Sequence, residues 1–309
     1  MAIRSALVVV IVALSLLAHA PGSGAGTRRC FGAAARDPEH PCLNRRLRLT
    51  VTPSPSAAPL IPSAPCVPLE DPARPCVFGV SDDLARAHVA LIGDSHAVHW
   101  RAALQVVAVQ RQWQAVSLDR SQCPYSAATP ALPEPQLSGC LTWRQEVEKW
   151  LERHPEVTTV FVSEHVGAAI RVSEGQNPHA AAVAGYVQAW SRLPASVQQV
   201  IVIRDVPHDR YSTPDCVKHA VEKGRSPGRS CAIPRSEALP ADPAAEAAIA
   251  QASPRVRVVD LTAFMCSQRV CLPVVGGVLV HRDRGHLTRT FATTLGPFLR
   301  RAVDPLIPV

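Results

Sequence analysis

The chain has 309 residues, of which 47% are apolar and 18% charged. That composition excludes wholesale disorder and is enough for a full core. The formal net charge of +7 rests on scattered arginines with no run longer than two. This excludes the basic stripe of a nucleic-acid-binding element and fits weak attraction to anionic envelope polymer or a membrane surface.

Residues 1–25 read as a signal peptide. Arg4 supplies the positive start, Ala6 to Ala18 is apolar apart from Ser15, and Ser23, Gly24 and Ala25 offer small residues for cleavage. The apolar run is short of the roughly 20 residues a membrane span needs; an uncleaved anchor is the alternative. The remainder is expected to be exported to a periplasmic or extracytoplasmic space.

All ten cysteines follow that segment, and an even count in an exported chain reads as disulfides. Proximity favours five local loops: Cys30–Cys42, Cys66–Cys76, Cys123–Cys140, Cys216–Cys231 and Cys266–Cys271. Zinc is the rival reading, but no cysteine pair has the C-x-x-C spacing and no histidine pair completes a finger pattern. Each bridge would contribute about 2–4 kcal/mol, mostly by restricting the unfolded chain.

Residues 26–85 are rich in proline, which removes donors and blocks both helix and central strand. They are expected to form an extended, disulfide-clipped linker. From residue 86 to 305 strands and helices alternate. His88–Ile92 is an apolar run of the buried parallel type, followed by a helix over 95–112. Strands are expected at 114–118, 157–162, 199–203 and 255–260. Helices are expected at 143–153, 179–193, within 236–252 and at 287–302. Five alternating strands predict an α/β fold with a doubly wound, mostly parallel sheet, whose ligands sit at the carboxyl ends of the strands.

Two strand-end motifs stand out. The first strand runs into Gly93-Asp94-Ser95-His96, which puts a hydroxyl at a helix start, where free N–H groups can meet an oxyanion. The bland reading is a helix-cap pair. Near the other end, Asp283-Arg284-Gly285-His286 precedes the last helix, and its carboxylate can orient an imidazole that accepts a serine proton. The bland reading there is a surface loop. His165 ends the third strand and is the rival base. Asp94, His96, His165 and Arg204 are possible substrate contacts, and Arg204 and Asp205 can also form an ion pair. Trp100, Trp143, Trp150 and Trp190 fit helix faces packed on a sheet.

These motifs, with Ser121-Gln122-Cys123-Pro124, Ile203-Arg204-Asp205-Val206-Pro207 and Val259-Asp260-Leu261, resemble the SGNH domain of the acyltransferase-3 family. That domain belongs to the SGNH/GDSL hydrolase superfamily, with a flavodoxin-like three-layer sandwich. The likeness spans roughly residues 60–300 without a multi-span acyltransferase half. It implies Ser95 as nucleophile, His286 as general acid/base and Asp283 as its orienting partner. It further implies O-acyl ester hydrolysis or transfer on acylated polysaccharide or a peptidoglycan-type glycan, through an acyl-serine and with no metal or other cofactor. A membrane acyltransferase is a possible partner. The wider superfamily takes oxyanion donors from a block-two glycine and a block-three asparagine. Here the third strand ends Ser163-Glu164-His165 with no asparagine, leaving Ser95, Ser163 and Gly167 as oxyanion candidates. That departure supports the alternative reading, a non-catalytic pseudoenzyme that binds glycan or a membrane acyltransferase.

Overall fold

The computed structural model describes residues 30–251 and 253–307. The expected signal peptide lies outside the described residues.

The elements that build the sheet and its flanks are, in chain order, β1 (Val67–Pro68), β2 (Cys76–Gly79), β3 (Ala87–Gly93), α1 (Ser95–Arg111), β4 (Trp113–Asp119), α2 (Gln136–Arg153), β5 (Val157–Ser163), α3 (Pro178–Ser191), β6 (Gln199–Ile203), α4 (Thr213–Glu222), α5 (Pro243–Ala250), β7 (Val256–Val259) and α6 (Arg289–Val303). The sheet has seven strands in the order β1-β2-β4-β3-β5-β6-β7. The five expected strands pair in parallel. Two further strands join antiparallel at one edge, β2 on β4 and β1 on β2. The five-stranded expectation therefore understates the sheet.

Those extra strands come from the proline-rich segment, which packs along the body of the protein. Ala33, Ala58, Ala64, Ala73 and Phe78 are buried, and Ala33 N–H donates to Thr294 Oγ1 on α6 (3.0 Å). Proline is tolerated here because the strands are short and at the edge.

The central strands are covered on both faces, and alternation along each assigns its side chains to two cores. Val89 and Leu91 join Trp100, Leu104, Phe161, Ile201, Phe291 and Leu295 on the α1–α6 side. Ala90 and Ile92 join Val160, Val162, Trp143, Trp150 and Trp190 on the other. Burying each large apolar side chain contributes about 1.5–3 kcal/mol. All four of these tryptophans are core residues.

Two local differences from the expected elements have identifiable causes. The helix α2 begins at Gln136, well before Trp143, because the Cys123–Cys140 bridge anchors its first turns. The weak helix formers Ser138, Gly139 and Thr142 hid that start. The unexpected α4 is tied by Cys216–Cys231. Within 236–252, a single turn at Arg235–Ala238 precedes the expected helix, which runs from Pro243 and is capped by Asp242, whose side chain accepts from the N–H groups of Ala244 and Ala245. All five expected disulfides are present, and no described cysteine is free.

Candidate active site

The carboxyl ends of β3 and β5 come together at Gly93, whose φ is +150° and whose hypothetical Cβ would lie 2.1 Å from the Ser163 carbonyl oxygen. Only glycine permits that approach. The chain then turns at Asp94, which caps α1 by accepting from His96 N–H (2.8 Å). Ser95 is thereby the first residue of α1, half-buried, where N–H groups lack intrahelical acceptors.

The loop before α6 delivers the partner. Ser95 Oγ lies 2.8 Å from His286 Nε2. His286 Nδ1 lies 2.8 and 3.0 Å from the two carboxylate oxygens of Asp283. Asp283 Oδ1 also accepts from the N–H groups of Gly285 and His286. Burial opposes ionisation of Asp283, yet these hydrogen bonds, with that from the His286 ring foremost, hold it well below the usual carboxylate range. A fixed carboxylate sets the tautomer in which Nδ1 carries the proton and Nε2 accepts one from Ser95.

Beneath this triad lies a buried polar layer. Glu164 is fully enclosed; it accepts from Asp94 N–H (3.1 Å) and Tyr125 N–H (2.8 Å). Asp94 in turn accepts from His165 N–H (3.1 Å). Burial, reinforced by the charge of Asp94, pushes the Glu164 carboxyl well up, and burial also raises Asp94. These carboxyls tie three strand-end loops together and so position Ser95.

A second buried pair is His96 Nδ1 with Asp205 Oδ1 at 2.5 Å. Burial works against charge on both, but the pairing wins: His96 is raised and Asp205 falls far below the usual range. The His96 ring centroid is 4.8 Å from that of His286, 4.6 Å from His165 and 5.0 Å from His99. His165 and His99 are disfavoured as cations. Burial, and then the charge on His96, pushes His165 down to about 4 and His99 well below its ordinary value.

His96, His99 and Asp205 are also the group that could hold a metal ion among the described residues, with ligand atoms within 4.8 Å of one another. The 2.5 Å between His96 and Asp205 is a hydrogen-bond separation. Two tetrahedral ligands on one zinc ion would stand roughly 3.4 Å apart.

An open cleft of about 1050 Å³ exposes the triad; Asp94, His96, His165, Gly167, Ser121, Gln122, His208, Arg210 and Tyr211 also line it. Asp94 and His96 contribute from almost complete burial. Two expectations do not hold in this geometry. Ser163 is wholly buried and does not line the cleft, because it is still inside the β5 ladder. Arg204 does not reach the cleft either: it turns to Asp260 (3.0 Å), on the β7 side, and does not pair with Asp205. Asn177 caps α3.

Glu164, His208 and Tyr211 are site residues beyond those the motifs mark. Glu164 had one signal, an acid directly after a buried strand. Tyr211 had none, since its loop carries no periodicity.

A family model described as "SGNH domain (fused to AT3 domains)" matches residues 65–301. The chain belongs to that family. Among solved structures, one titled "Structure of Salmonella ser. Paratyphi A lipopolysaccharide acetyltransferase periplasmic domain" aligns with a TM-score of 0.53 and 14% sequence identity. The alignment covers 74% of this chain and 89% of the other. At that identity the likeness is one of fold. No curated protein matches. Among the described residues no helix is long and apolar enough to cross a membrane.

Proposed function

We propose that this protein is an exported serine O-acyl esterase or O-acyltransferase that acts on acylated envelope carbohydrate through an acyl-serine. The observation that carries the reading is the unbroken chain Ser95 Oγ, His286 Nε2, His286 Nδ1, Asp283. In this reading His286 takes the Ser95 proton as Oγ attacks the ester carbonyl. The tetrahedral oxyanion forms at the start of α1, facing the Ser95 N–H and the His165 ring. His286 then returns its proton to the departing sugar oxygen, leaving acyl-Ser95. Water or a second sugar hydroxyl, deprotonated by His286, attacks the acyl carbonyl, and collapse frees Ser95.

His165 replaces the missing asparagine in this scheme. The register pairs Gly93 with Ser163, two residues before Ser95 and His165, and both Ser95 and His165 border the cleft. A neutral imidazole presents one N–H as donor. Gly167 leaves the ring room, since a Cβ there would come within 2.7 Å of it.

A glycan substrate is supported by the open cleft and by Tyr211, 82% exposed at its edge. The Arg284 guanidinium carbon lies 3.9 Å from the Tyr211 ring centroid. A membrane acyltransferase is the partner the family suggests, as a donor of acyl groups. The disulfides support an extracytoplasmic setting. Absence of the block-three asparagine favours the pseudoenzyme as second reading. Labelling by a fluorophosphonate, with Ser95→Ala as control, separates the two: a Ser95-dependent adduct supports the enzyme, and no adduct supports the pseudoenzyme.

A further inference from the structure

A second concavity shares no lining residue with the cleft. It is a groove of about 550 Å³ between the 30–48 segment, the 226–229 turn and residues 272–277. Its floor is apolar, built from Ala35, Leu47, Leu272, Val274, Val275 and the Cys30–Cys42 bridge. Four arginines, Arg36, Arg45, Arg48 and Arg229, border it, and no acidic side chain does.

None of the four forms an ion pair with a described carboxylate. The acids closest in sequence, Asp37 and Glu39, both pair with Arg301. Arg36 is the most constrained: its guanidinium donates to the Ala263 carbonyl (3.5 Å) and also borders a neighbouring concavity with Asp37 and Asp260, so phosphate contact falls to Arg45, Arg48 and Arg229. At the same border Leu43 leaves 78% of its surface exposed. An apolar floor under unpaired cations is complementary to an amphiphilic anion, and guanidinium groups match phosphate geometry.

We propose that this groove binds an anionic phospholipid, holding its phosphate among the arginines and the first part of its acyl chains along the floor. The chain's own N-terminal segment is the poorer occupant: residues 1–29 include Arg4, Arg28 and Arg29 and no acid, so like charges would meet. That segment joins the protein at Cys30, which lines the groove. Anionic headgroups there would be further concentrated by the basic surface.

The test is calorimetric titration of the full chain with dihexanoyl phosphatidylglycerol below its micelle concentration, beside dihexanoyl phosphatidylcholine and inorganic phosphate. Phosphatidylglycerol should bind at one per chain and about tenfold or more tighter than either comparison ligand. The exposed-residue variant R45E/R48E/R229E should weaken it by at least about tenfold, near 1.4 kcal/mol. The milder Arg48→Gln should give a smaller loss, with the melting midpoint kept. Failure of the parent to bind, or unchanged affinity in both variants, overturns the proposal. So does equal binding of phosphatidylcholine, meaning charge is not read, or of inorganic phosphate, meaning the floor is not used. Ester turnover should be untouched by these substitutions. Loss of the catalytic reading through Ser95 would leave this result standing.

Discussion

Ser95 and His286 stand 191 positions apart in sequence, yet Oγ and Nε2 meet at 2.8 Å. Two helix starts make that possible. Asp94 caps α1 and aims Ser95 into the cleft, while Thr288 caps α6, accepting from Phe291 N–H (3.1 Å), and fixes the loop that carries His286. If this contact is the proton path, His286→Ala should lower kcat on a small acetyl ester by about 10⁴-fold or more, with KM little changed. Asp283→Asn should cost roughly 10²–10⁴-fold, by freeing the imidazole to take the wrong tautomer. Steady-state kinetics on the folded variants checks both values.

Removal of the His165 ring should lower kcat by about a hundredfold, the usual cost of one oxyanion donor. Because burial and the charge of His96 push its pKa down to about 4, the ring is neutral throughout the working range. His165→Ala should therefore lower the pH–rate profile without moving its acid limb, and His165→Asn should restore part of the loss. An acid limb that disappears in His165→Ala while His286→Ala stays active would make His165 the base.

Tyr211 separates glycan from small-ester chemistry. Tyr211→Ala should raise KM for an O-acetylated oligosaccharide about tenfold, in line with loss of an aromatic contact, and leave turnover of a small ester unchanged. Equal effects on both substrates would place Tyr211 in the structure of the loop alone.

The buried His96–Asp205 pair makes stability pH-dependent. His96 is raised above its ordinary 6.5, so its contribution is complete below that pH and fades as pH rises through the raised value. Asp205 is lowered from 3.8, so its contribution is complete above that pH and fades as pH falls through the lowered value. The melting-midpoint difference between the parent and Asp205→Asn should thus be widest between about pH 4 and 6.5, and narrow at alkaline pH. A difference independent of pH would show that only the uncharged hydrogen bonds of Asp205 matter.

Ester turnover should persist after exhaustive treatment with EDTA, because the serine is activated by proton transfer to an imidazole. Loss on chelation with recovery on added zinc would instead bring the His96, His99 and Asp205 group into the chemistry.

The parallel strands were legible in the sequence because each is an unbroken apolar run buried on both faces, as in Val89–Ile92. Ser95, Asp283 and His286 were legible because strand ends and helix starts converge in this topology. The edge strands β1 and β2 were not, since proline masks the short pairings an edge permits. Arg204 misled for a related reason: a residue at a strand end can face the neighbouring strand's loop, here Asp260, as readily as the cleft. Glu164 and Tyr211 depend on contacts across distant loops, which no local pattern encodes.

The most direct test of the central claim is intact-protein mass spectrometry after incubation with a fluorophosphonate, followed by peptide mapping. One adduct per chain is expected, located on Ser95, lost in Ser95→Ala and formed far more slowly in His286→Ala. A parent protein that stays unmodified, or an adduct on any other residue, would contradict it.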